Sequence, residues 1–90
     1  MLEERIYQDY LDALRAKNKG KYQFLSFIRA EIKNFAIHLR KDKLDDSQVL
    51  AVLNKQKKHL QETLDSGALL ERRDIIDSAN NEMSVLAQYL

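Results

Sequence analysis

Ninety residues with fifteen Lys and Arg against fourteen Asp and Glu, a formal net charge of +1, allow one domain and no global charge that would announce a nucleic-acid partner. The absence of cysteine excludes disulfides, thiolate nucleophiles and cysteine metal sites together. With no proline and two glycines, Gly20 and Gly67, the chain is free to be helical almost throughout.

The first predicted helix covers Leu2 to Lys17. Ile6, Tyr10, Ala13 and Leu14 recur at three and four residues, flanked by Tyr7 and Leu11, which gives one apolar stripe. Asn18-Lys19-Gly20 reads as its stop, with Gly20 free to take the left-handed conformation past the helix end. The second helix runs from Lys21 to Lys41. Its apolar arc, Phe24, Leu25, Phe27, Ile28, Ile32, Phe35, Ala36 and Leu39, is wide enough to make it the central one. Lys43-Leu44-Asp45-Asp46 follows as a loop, in which Asp45 and Gln48 form an Asp variant of the capping box. The third helix extends to Leu64 with Val49, Leu50, Leu53, Leu60 and Leu64 inward, and Asp65-Ser66-Gly67 ends it. The fourth runs from Ala68, or as late as Glu71, to Leu90, on a stripe of Ile75, Ile76, Ala79, Met83, Leu86 and Leu90. Connections this short make sequential helices antiparallel neighbours. The expectation is an all-α four-helix up-and-down bundle or compact helical array, one domain over residues 1–90.

No apolar run approaches the ~20 residues that span a bilayer. The acidic start, Leu2-Glu3-Glu4, lacks a signal-peptide core, so the expected location is cytoplasmic with no membrane partner. Neither histidine has a metal partner at helical spacing; His59 with Glu62 is the nearest approach and lacks a third ligand. No nucleophile elbow, desolvated carboxylate pair or glycine-rich phosphate loop is present, so the sequence predicts no catalytic residue, metal or cofactor.

The basic residues carry more. Arg29, Lys33 and Arg40 fall nearly on one line beside the apolar arc of the second helix. With Lys41 and Lys43 they read either as a positive strip for phosphates or as a flank whose long stems cover apolar surface. Lys57 and Arg72 are placed on inward faces, where a charge must pair, reach solvent or border a groove, and Glu82 lies at the edge of the fourth stripe. Exposed Tyr7, Phe27, Ile37 or Tyr89 would suit a docking partner, and Val52 and Val85 are further apolar residues outside the main stripes.

Three segments carry a family resemblance: Phe27-Ile28-Arg29-Ala30-Glu31-Ile32-Lys33-Asn34, Glu71-Arg72-Arg73-Asp74-Ile75, and Asn81-Glu82-Met83-Ser84-Val85-Leu86-Ala87-Gln88-Tyr89-Leu90. They resemble the N-terminal part of the YqeY-like proteins, a family that shares its motif with the tail of GatB, the B subunit of the Asp-tRNA/Glu-tRNA amidotransferase. Lys33, Asn34, Arg72 and Glu82 carry over by position, and Arg29 as a basic residue in the place of lysine. Glu71 replaces the family's glycine, and Ser26 and Leu60 stand at positions that are often basic. The resemblance implies an N-terminal helical subdomain without the smaller C-terminal one. It also implies a link to tRNA-dependent amidation, a carbon–nitrogen ligation with glutamine as amide donor whose chemistry belongs to other domains. The module would then be an auxiliary binder of tRNA, of amidotransferase subunits or of another protein, with Arg29, Lys33, Asn34, Arg40 and Arg72 as the nucleic-acid-binding set. The alternative is a protein-interaction module with no nucleic-acid role.

Overall fold

The computed structural model describes residues 1–66 and 72–90. Four helices are seen: α1 (Leu2–Arg15), α2 (Lys19–His38), α3 (Asp46–Asp65) and α4 (Arg73–Ala87). The Leu2 backbone N–H donates to Asp46 Oδ1 at 3.0 Å, so α1 and α3 start at the same end. At that end the Arg5 guanidinium donates to the Gln88 carbonyl at 2.9 Å, just past α4. Lys41, just past α2, donates to Gln48 in the first turn of α3 at 2.6 Å. Neighbouring helices therefore alternate in direction, as an up-and-down bundle requires.

α2 touches all three other helices and supplies five buried residues, Phe24, Leu25, Ile28, Ile32 and Ala36, more than any other helix. Ile6, Val49, Leu53, Leu60, Ala79, Leu86 and Tyr89 close the core around it. The loop residue Leu44 is 1% exposed and joins them. Asp45 caps α3 by the expected box: the Gln48 N–H donates to Asp45 Oδ1 at 2.8 Å, and the Asp45 N–H to Gln48 Oε1 at 3.0 Å. Leu44 just before the cap and Val49 four residues after it are both fully buried, the apolar staple that fixes the entry angle of such a helix.

The end of α1 differs from expectation. The left-handed residue is Lys17 (φ 57°), not Gly20. The Asn18 N–H reaches back to the Ala13 carbonyl at 2.9 Å and the Lys17 N–H to Leu14 at 3.1 Å, a Schellman turn. Asn18 then caps α2, its side chain accepting from the Lys21 N–H at 3.3 Å, which draws Gly20 into the first turn of α2. α2 ends the same way: Arg40 has φ 57°, and Lys41 and Arg40 donate to the carbonyls of Ala36 and Ile37. α2 thus starts two residues earlier and stops three residues sooner than the apolar pattern suggests. α4 begins at Arg73; the expected starts at Ala68 and Glu71, and the stop at Gly67, lie outside the described residues.

Lys57 is exposed rather than inward. The buried line of α3 is Val49, Leu53 and Leu60, and the half-buried residue that continues it between Leu53 and Leu60 is Gln56. At about 100° per residue Lys57 lies about 40° beyond Leu53, at the edge of that line, where its long side chain reaches solvent. Arg72 is also exposed, directly before α4, with its Nε 3.7 Å from Asp74 Oδ1. Leu14, Leu39 and Leu90, expected inward, are partly exposed because each lies within a few residues of a helix end.

Candidate nucleic-acid interface

Arg29 projects from the middle of α2 across α1. Its guanidinium carbon lies 4.3 Å from the centre of the Tyr7 ring and 5.2 Å from that of Tyr10. Tyr7 and Tyr10 are one helical turn apart on α1, so both rings meet the same cation. Contact with the negative faces of two rings holds the fork while leaving its N–H donors free to bind elsewhere. Lys33 is one turn further along α2 on the same side. Among the described residues, neither Arg29 nor Lys33 takes part in an ion pair.

These two cations line a groove between α1 and α2. Ile32 and Ala36 form its floor, and Lys41 and Lys43 close one end. Lys43 Nζ donates to Glu4 Oε1 at 2.8 Å. That hydrogen bond and the attraction behind it hold the Glu4 carboxyl below its usual range and the Lys43 ammonium above its own. Lys41 is engaged by Gln48 and lies 4.0 Å from Asp45 Oδ2. Glu3 and Asp42 also line the groove, and Glu3 Oε2 is a buried oxygen without a hydrogen-bond partner among the described residues. The side is therefore mixed in sign, with its free positive charge concentrated at Arg29 and Lys33.

The five residues singled out from the sequence are distributed as follows. Arg29 and Lys33 share the α1–α2 groove. Asn34 faces the groove between α2 and α3, beside Phe27, Phe35, Val52 and the two histidines. Arg40 stands on the left-handed turn past α2, off the helical line that would join it to Arg29 and Lys33. Arg72 lies before α4, at the end of the bundle opposite Arg40. Sequence reasoning missed the tyrosine pair: Tyr7 and Tyr10 were assigned to an apolar stripe or a docking face. Their i, i+3 spacing puts both rings on one face of α1, but the helix that this face meets is not written in it.

Tyr89, expected on an exposed docking face, is 8% exposed. Its hydroxyl donates to Asp9 Oδ2 at 2.6 Å and Arg5 lies over its ring at 4.9 Å. Burial, with the Asp9 carboxylate beside it, pushes the phenol well above its ordinary range. Val52 and Val85 pack against the core, whereas Phe27 and Ile37 are 45% and 63% exposed.

A family model described as Yqey-like protein matches residues 3–90. The chain belongs to the YqeY-like family. No curated protein matches it. The YqeY-like match spans α1 as well as the motif-bearing segments of α2 and α4, so the helix that carries Tyr7 and Tyr10 lies within the family unit.

Proposed function

We propose that this YqeY-like chain is an auxiliary module of tRNA-dependent amidation that binds tRNA through the α1–α2 groove. The observation that carries the reading is Arg29, fixed against Tyr7 and Tyr10 beside Lys33, with neither cation in an ion pair among the described residues. Cations outside ion pairs, one of them oriented by two rings, suit phosphate contacts: each one releases condensed counterions when a phosphate is neutralised. The family's likeness to the amidotransferase B-subunit tail supplies the choice of tRNA over other polyanions. Arg40 and Arg72, on other elements, add no more than peripheral contacts in this reading.

Fluorescence anisotropy of labelled tRNA, at low and at near-physiological salt with a DNA duplex as control, tests it. The expected result is binding that prefers tRNA and weakens with salt at a logarithmic slope of about −2, as two to three phosphate contacts give. Lys33→Glu should lower affinity by about tenfold or more while leaving the far-UV circular dichroism unchanged, because Lys33 is exposed. Unchanged tRNA affinity in that variant would reduce the basic pair to a solvated flank.

A second reading, a protein-docking module, is favoured by one feature. Phe27 is exposed at the edge of the α2–α3 groove, whose wall includes Phe35 and Val52. Sedimentation equilibrium that detects a dimer, lost on Phe27→Ser, would support it over the tRNA reading.

A further inference from the structure

We propose that the α1–α2 groove takes an unpaired stretch of RNA rather than a base-paired one, with one base stacked on Tyr7 and its flanking phosphates on Arg29 and Lys33. The inference rests on the RNA-binding reading above and goes further, because it names the form of RNA.

Tyr7 is the observation that decides it. Arg29 is already in contact with Tyr10, a half-buried ring. Tyr7 adds a second ring to the same cation, yet stays 45% exposed at the groove. An exposed ring beside a fixed cation offers a base its π-surface and a phosphate its counter-charge within one nucleotide's reach. That is how single strands are held without sequence readout. A duplex keeps its bases stacked inside and presents phosphates and ribose, so it has no use for the ring.

The charges point the same way. Among the described residues, the groove's cations outside ion pairs form a single short row, Arg29 and Lys33, about 6 Å apart along the helix. Glu3, Glu4 and Asp42 occupy other parts of the groove wall. A duplex laid across this side would bring a second phosphate strand towards those carboxylates, whereas one flexible strand can follow the row. Ile37, 63% exposed on the groove wall, adds apolar surface that suits a sugar or a splayed base and is wasted on a phosphate.

The test compares a short unstructured oligoribonucleotide with a blunt, fully paired RNA duplex of the same length, by anisotropy across a salt series. The unpaired RNA should bind about tenfold more tightly, the size of one base–aromatic stack. Tyr7→Leu should remove about that factor on the unpaired RNA with the salt slope unchanged, and Tyr7→Phe should retain it. Lys33→Gln should instead flatten the slope by about 0.7, one phosphate contact on a single strand. Equal or tighter binding of the duplex, or full affinity in Tyr7→Leu, overturns the inference and leaves the RNA reading standing. Binding of neither RNA at low salt overturns the RNA reading itself, and this inference with it.

Discussion

A methyl group added at Gly20 meets no atom within 4 Å, and the residue lies in the first turn of α2. Gly20→Ala should therefore stabilise the fold by about 0.5–1 kcal/mol, since alanine loses less backbone freedom on entering a helix. Urea unfolding followed by circular dichroism checks this, and a loss of stability would mean that Gly20 needs a conformation alanine cannot share. Glu82 makes a different single-residue prediction. It is half-buried in the groove between α2 and α4, and burial raises its carboxyl above the ordinary range. A raised acid favours the protonated form in the fold, so its contribution is intact below its unfolded pKa, about 4.3, and is lost as pH rises through the folded value. Glu82→Gln should thus raise the melting temperature at neutral pH and leave it unchanged near pH ~3.5. A gain of equal size at both pH values would show that charge is not the cause.

Between α2 and α3 the chain makes a short connection in which Leu44 is buried as deeply as the core of the helices. Leu44→Ala should cost about 2–4 kcal/mol, the usual range for emptying a leucine site that cannot collapse. Chemical denaturation with an unchanged slope would confirm a local cavity. This connection also shows what a sequence reveals about elements. The capping box was legible because two residue types at fixed spacing satisfy two backbone donors, a requirement independent of the rest of the fold. Leu44 was not legible as core, since its burial depends on where α3 turns back. The ends of α1 and α2 were misjudged for a related reason. Both close on left-handed cations, Lys17 and Arg40, where glycine is the usual occupant; the favourable place of a positive charge at a helix C-terminus offsets part of the backbone cost. A rule built on glycine looks three residues too far along, to Gly20. Lys57 was placed inward because Leu50 and Leu64 set the expected line, whereas Val49, Leu53 and Leu60 set the real one and Gln56 bridges it.

Taken as a whole, the bundle was readable from periodicity, but its surface was not. Arg29 and Lys33 share a groove because one turn of one helix separates them, a spacing visible in the sequence. Their relation to Tyr7 and Tyr10 depends on how α1 crosses α2, and that needed three dimensions. So did the clasp at Tyr89, which joins α1 to the turn after α4. Tyr89→Phe keeps the ring beneath Arg5 but leaves Asp9 without its donor, and should cost about 1–2 kcal/mol. Thermal unfolding of the variant alongside Asp9→Asn would check it, and additive losses in the double variant would mean that the two groups are not coupled. Eighty positions separate Asp9 from Tyr89. At about 5–20 residues per second of synthesis, Asp9 is added to the chain about 4–16 s before Tyr89. Between completion of α3 at Asp65 and addition of Tyr89, α1 can lie against α2 and α3 while the strap across it is still missing, and a chaperone would meet a bundle not yet fastened.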